Sequence, residues 1–94
     1  MNLNAEQLKC IEDFAYRLIP PGLIAINIEA DEIDFIEALR TPGTEVRTAF
    51  YKGYMNQMIE TREAIIKTAQ NGSNPAQTEL LKFMREMNNH ILYE

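Results

Sequence analysis

The feature that most constrains the fold is a long stretch without proline, which begins at Thr44 and ends just before Pro75. Apolar residues recur along it at the three- and four-residue spacing of one helix face. Thr44 can cap the start of a helix with its side chain. Asn71 and Gly72 tolerate the left-handed backbone that closes a helix. The sequence therefore predicts one long helix over residues 44–70.

A second helix is predicted to begin directly after this stop and to run to about residue 92. Ser73 or Asn74 can act as its N-cap, and Pro75 suits its first turn, where the missing N–H has no partner to lose. So tight a reversal between two long helices specifies an antiparallel helical hairpin. Because the return helix is the shorter one, we expect residues 44–52 of the long helix to pack against the N-terminal part of the chain.

Three shorter helices are predicted before the long one, at Ala5 to about Ile19 with Asn4 as cap, at Gly22 to about Ile28, and at Asp31 to Arg40. The buried face of the first is predicted to include Leu18. No segment alternates with the two-residue period of a strand. The chain is therefore predicted to be all-α, with a head at residues 1–40 and a hairpin arm at residues 41–94, together forming one continuous small domain.

Residues 22–39 carry the spacing of a helix-turn-helix. Ala25 supplies the small side chain that two steeply crossing helices need at their contact. The following turn commonly holds a glycine because its backbone is left-handed, and here that position is Glu29. The next helix carries four acidic residues, which phosphates would repel. Two interpretations stay open: a helix-turn-helix-like head that engages DNA, and a helical head that only uses this packing.

Charge is unevenly distributed along the chain, whose net charge is −5. Residues 1–37 carry eight acidic and two basic side chains, whereas residues 38–94 carry seven basic and six acidic ones. This balance argues against a general nucleic-acid-binding protein. The candidate DNA contacts are the basic and aromatic residues near the junction of head and arm, Arg40, Arg47, Tyr51 and Lys52; the alternative is an ordinary solvated face.

Methionines are concentrated in the predicted hairpin, and their flexible side chains repack readily around a partner, although such a stripe also occurs in cores. A chain this short without a disulfide favours self-association. Arg62 is expected to pair with Glu79 or Glu86 across the hairpin; the alternative is a contact with a neighbouring subunit. The candidate interface for a second copy or a partner helix consists of Met55, Met58, Arg62, Met84 and Met87.

Motifs that carry chemistry are lacking. Cys10 is the only cysteine and His90 the only histidine, so the chain offers neither an internal disulfide nor a zinc site. No phosphate-binding, metalloprotease or serine-hydrolase motif occurs. We expect no enzymatic activity, no metal and no cofactor. The N-terminus lacks a signal peptide and no apolar run reaches about 18 residues, which predicts a cytoplasmic protein without membrane contact.

Two motifs, AFYKG at residues 49–53 and AQNGSNPAQTELLK at residues 69–82, lie in a segment that resembles small terminase subunits and related DNA-packaging proteins of bacteriophages and prophages. The resemblance implies a non-enzymatic subunit of a bacterial or phage-infected cell that forms an oligomer, often a ring, through its hairpin. It also implies that this subunit engages double-stranded DNA and presents it to a large motor subunit. The alternative is a helical protein-interaction or regulatory module of a mobile element without direct DNA contact.

Overall fold

The computed structural model describes residues 2–93 and contains helices and turns but no strand in that range. The all-α prediction is confirmed. The chain divides into two compact units, Met1–Met58 and Ile59–Glu94, and the boundary between them lies within the fourth helix. The five helices of the described range are α1 (Ala5–Tyr16), α2 (Pro21–Asn27), α3 (Glu32–Arg40), α4 (Glu45–Gln70) and α5 (Asn74–Tyr93).

The predicted cap of α1 is confirmed. The Asn4 side chain accepts a hydrogen bond from the Gln7 N–H at 2.8 Å, and the Gln7 side chain accepts one from the Asn4 N–H at 3.0 Å. Each side chain thus satisfies a backbone donor that the first helical turn leaves without an intrahelical partner. This capping box fixes where the first helix begins.

The end of α1 differs from the prediction, because the helix stops at Tyr16 and not near Ile19. Pro20 disfavours helical backbone at Ile19, so the helix has to close earlier. It does so with a left-handed residue, Leu18, whose φ is 64°. The Ile19 N–H reaches back to the Phe14 carbonyl at 3.0 Å, as in a Schellman motif. Leu18 is consequently 59% exposed instead of buried.

The turn between α2 and α3 is closed in the same way as the end of α1, by a left-handed residue in a Schellman motif. Glu29 has a φ of 59°, which confirms the left-handed backbone expected there, and the Ala30 N–H donates to the Ala25 carbonyl at 2.9 Å. Asp31 then caps α3 by accepting a hydrogen bond from the Asp34 N–H at 2.9 Å. The direction of the chain between the two helices is therefore set by one strained residue and one side-chain cap.

The first unit has one hydrophobic core to which all four of its helices contribute. Residues 44–52 of α4 pack with the N-terminal helices as expected: Val46 is buried, and Ala49 and Phe50 pack against the core. Full burial of a large apolar side chain contributes roughly 1.5–3 kcal/mol, so this cluster is the main source of stability in the unit. Its buried members are Ile11, Ile24, Ala25, Ile28, Phe35, Leu39 and Val46.

Gly53 lets α4 approach α1 closely. A Cβ atom at this position would overlap the main-chain carbonyl oxygen of Glu12 and lie 2.8 Å from its carbonyl carbon. One turn later the Gln57 side-chain amide donates to the Tyr16 carbonyl at 2.9 Å, close to the end of α1. The backbones of α1 and α4 are thus in direct contact where the first unit ends.

The second unit is the part of the predicted hairpin from Ile59 onward, and its turn is formed as expected. Gly72 has a φ of 95°, and its N–H donates to the Ala69 carbonyl at 3.0 Å. The Ser73 N–H donates to the Thr68 carbonyl at 3.3 Å, which completes a third Schellman closure. The Ser73 hydroxyl then accepts a hydrogen bond from the Ala76 N–H at 3.4 Å and caps α5.

Contacts across the hairpin show that its helices run antiparallel. Near the turn, the Gln77 side-chain amide donates to the Ala69 carbonyl at 3.1 Å. Farther along, the Arg62 guanidinium lies 3.4 Å from the Glu86 carboxylate and 4.3 Å from the centre of the Phe83 ring. The pairing expected between Arg62 and Glu86 is therefore confirmed within the hairpin.

Candidate functional site

The corner between α3 and α4 positions the residues predicted to contact DNA. The Thr44 hydroxyl donates to the Ala38 carbonyl at 2.6 Å and accepts a hydrogen bond from the Arg47 N–H at 3.2 Å. The predicted N-cap of α4 thus also holds the end of α3. The Arg47 guanidinium spans the same corner and donates to the Leu39 carbonyl at 2.9 Å.

The structure brings two of the four candidate DNA contacts together. The Arg47 guanidinium lies 4.9 Å from the centre of the Tyr51 ring. Because the Arg47 guanidinium also donates to the Leu39 carbonyl, not all of its N–H groups are available to a ligand. Arg40 is exposed in the last turn of α3. Lys52 is exposed on α4 and lines a depression against α1 together with Lys9.

The charges around this depression are mixed. Lys9 lies 4.0 Å from the Glu12 carboxylate and 3.4 Å from that of Asp13, and Glu12 and Glu45 both line the depression. Exposed pairs of this kind contribute at most about 1 kcal/mol, but they offset the positive potential that a phosphate would meet. Of the four candidate DNA contacts, Arg40 at the end of α3 and Lys52 on α4 are the exposed cations, and Tyr51 precedes Lys52 in the sequence.

The outward face of α3 carries a feature that the sequence interpretation missed. Ile33 is 74% exposed, although Phe35 and Leu39 of the same helix are buried. The signal was present, because Ile33 falls outside the register that Phe35 and Leu39 define on a helix of 3.6 residues per turn. The analysis of charge drew attention to the acidic residues around it instead.

The predicted interface residues of the hairpin are exposed to different degrees. Met55, Met84 and Met87 are all more than half exposed, whereas Met58 and Arg62 are partly buried. Arg62 is held by Glu86 and Phe83, so its role in the structure lies inside the hairpin. Further exposed apolar residues of the second unit are Ile59, Ile66, Leu81, Ile91 and Leu92.

Among residues 2–93, no three His, Cys, Asp or Glu side chains are grouped so that they could hold a metal ion. Within the same range, no helix combines the length and the apolar character needed to cross a membrane.

The fold and these surfaces define a small all-α protein with a four-helix packed unit and a helical hairpin whose apolar side chains are largely exposed. Comparisons of the chain with protein-family models, with curated proteins and with solved structures found no match.

Proposed function

We propose that the protein is a non-enzymatic adaptor that assembles through its hairpin and serves in phage-type DNA packaging. Assembly is supported by the surface of the hairpin. The packaging role is supported by the resemblance of the long helix and the following turn to small terminase subunits. In this role its partners are further copies of the chain, double-stranded DNA and a large motor subunit, and the helix-turn-helix-like head engages the DNA.

The observation that carries the proposal is the lack of a core in the hairpin unit. Among its described side chains, only those of Ala69 and Ala76 are buried, and both are small. A compact unit of fewer than about 40 residues usually needs oligomerisation, a metal or disulfides to be stable. The chain offers no disulfide, since Cys10 is its only cysteine. Added helices from another copy would supply the missing apolar contacts.

The spacing of the exposed residues fits this kind of assembly. Ile59 and Ile66 lie one heptad apart on α4, and Met84 and Ile91 lie one heptad apart on α5, with Met87 on the same side of that helix. Apolar residues at heptad spacing form the seams along which helices pack in bundles. Each helix of the hairpin therefore presents a seam that a further helix can cover.

The charge of the hairpin favours a second copy as the partner. Its described residues carry equal numbers of basic and acidic side chains: Arg62, Lys67, Lys82 and Arg85 against Glu60, Glu63, Glu79 and Glu86. Two such surfaces can meet about a twofold axis without net repulsion. A strongly acidic or basic partner would gain less from this surface.

Light scattering across a concentration series, at low and at physiological salt, tests the assembly. We expect a defined multimer that persists at physiological salt, because its seams are apolar and salt screens them little. A monomer at every concentration would contradict both the proposed assembly and the adaptor role that depends on it.

DNA binding needs its own test on the assembled protein. We expect duplex DNA to bind weakly, with a Kd that rises with salt, and the variant Arg40→Gln with Lys52→Gln to lose most of this binding. The matched control removes two positive charges from the hairpin through Lys67→Gln and Lys82→Gln. Arg47 is left unchanged because its guanidinium supports the corner at Leu39. Equal losses in both variants would contradict the proposed DNA surface.

A second candidate function is a protein-interaction or regulatory module that does not contact DNA. It is favoured by the engagement of the Arg47 guanidinium with Leu39 and Tyr51, which leaves few free cations at the corner. An assembled protein that fails to bind duplex DNA even at low salt would support this candidate over the first.

A further inference from the structure

The first unit exposes large apolar side chains although its core is complete. Ile11, Ile24 and Phe35 are fully buried, so large apolar side chains already fill the core of the unit. Ile33 on α3 is nevertheless 74% exposed, which makes it more exposed than any other large apolar residue of the described chain. An apolar side chain in this position gains free energy only when another molecule covers it.

Ile33 lies in an open depression on the outward face of α3. The depression encloses about 440 Å³ and is lined by Glu32, Ile33, Ile36, Glu37 and Arg40. At 100° per residue, Ile33 and Ile36 lie side by side on the helix, and Glu32 and Glu37 fall on either side of them. The surface is therefore an apolar strip with a carboxylate along each edge and Arg40 at its C-terminal end.

The carboxylates at the edges of this strip carry charge that the unit does not neutralise. The ion pairs found between described residues join Lys9 to Glu12 and Asp13, and Arg62 to Glu86; neither Glu32 nor Glu37 takes part in them. Residues 1–37 as a whole carry eight acidic and two basic side chains. This excess of negative charge attracts a cationic partner.

We propose that the outward face of α3 is a docking surface for a basic amphipathic helix of a partner protein. The apolar face of that helix covers Ile33 and Ile36, while its Lys or Arg side chains reach Glu32 and Glu37. A helix is the fitting partner because residues 2–93 contain no strand to whose edge an extended peptide could add. This surface is separate from the seams of the hairpin and does not depend on DNA packaging.

The test uses the full chain and a fluorescent synthetic helix with leucines on one face and lysines on the other. Fluorescence anisotropy gives its Kd. We expect Ile33→Ala to weaken binding by about tenfold or more, since it removes most of the apolar side chain that the peptide would bury. Alanine favours helix, so the variant should keep its melting temperature. The matched control is Ile26→Ala, an equally conservative change at an exposed isoleucine of α2, outside the depression.

A second pair of variants tests the charges. Glu32→Gln with Glu37→Gln should weaken binding several-fold at low salt and flatten its salt dependence, whereas Glu6→Gln with Glu45→Gln, which removes the same charge from other helices, should change it less. Unchanged affinity of Ile33→Ala would overturn the proposal, because binding would then be only non-specific attraction to an acidic protein. Loss of self-association in Ile33→Ala would also overturn it, because the occupant would be a second copy.

Discussion

Two helices of the first unit end in left-handed residues that are not glycine. Leu18 and Glu29 have φ values of 64° and 59°, whereas the corresponding closure of the hairpin uses Gly72. Left-handed backbone costs a residue with a Cβ atom roughly 1–2 kcal/mol. Leu18 gains little in return, because its side chain is largely exposed. The first unit therefore carries strain at these two turns, which its core has to offset.

This strain predicts that Leu18→Gly stabilises the protein. We expect the free energy of unfolding to rise by about 1 kcal/mol, because glycine removes the left-handed penalty but gains flexibility in the unfolded chain. Urea denaturation followed by circular dichroism measures the change. The matched control is Ile26→Gly, at an exposed isoleucine inside α2, which should lower stability by about 1 kcal/mol. A loss of stability in both variants would show that Leu18 is not strained.

At the scale of helices, the sequence was most informative about where they begin. Asn4, Thr44 and Ser73 all act as caps, because a cap is a contact between one side chain and the backbone a few residues away. The predicted end of α1 was wrong, because residue preferences alone do not place a leucine in left-handed backbone. The helix closes there because Pro20 disfavours helical backbone at the residue before it. Local patterns thus predict a helix start better than an end that depends on the next element.

The candidate site was less predictable than the fold. Four basic and aromatic residues were grouped from their position near the junction of head and arm, and the structure brings two of them, Arg47 and Tyr51, together. That Arg47 also bonds the Leu39 carbonyl depends on the angle between α3 and α4, which spacing alone does not fix. The exposure of Ile33 likewise depends on which face of α3 the core selects.

Two glycines within helices, Gly53 and Gly22, are predicted to respond differently when alanine replaces them. Gly53→Ala should lower the free energy of unfolding by about 1–3 kcal/mol, because its Cβ atom would collide with the backbone of Glu12, which cannot rotate away. At Gly22 an added Cβ atom would lie 2.7 Å from a carboxylate oxygen of Glu32, which is the mobile end of a side chain. We therefore expect Gly22→Ala to be neutral or slightly stabilising.

Thermal and urea denaturation of both variants test this contrast. The control lies in the comparison itself, since each variant adds one methyl group to a glycine within a helix. Equal stability of the two variants would mean that α1 and α4 do not meet at Gly53.

At the scale of the whole molecule, the two units differ in their cores and in the charge and apolar residues of their surfaces. The first unit has a filled core and an acidic surface on which the apolar strip of Ile33 and Ile36 lies. The hairpin has almost no core, balanced charge and exposed apolar residues on both of its helices. The first pattern fits a cationic partner and the second fits another copy of the same chain. The two surfaces should therefore be separable by mutation.

Reciprocal substitutions test that separation. Ile91→Lys places a charge in the proposed seam of α5, so we expect the multimer to dissociate while the first unit keeps its fold, because burying an unpaired ammonium group is costly. Ile33→Lys, the same change at an isoleucine of similar exposure, should leave the multimer intact and abolish binding of the basic helix. Light scattering reads the first effect and anisotropy the second. If Ile33→Lys dissociated the multimer and Ile91→Lys did not, the assembly would run through the first unit, and the hairpin would need a different partner to cover its apolar residues.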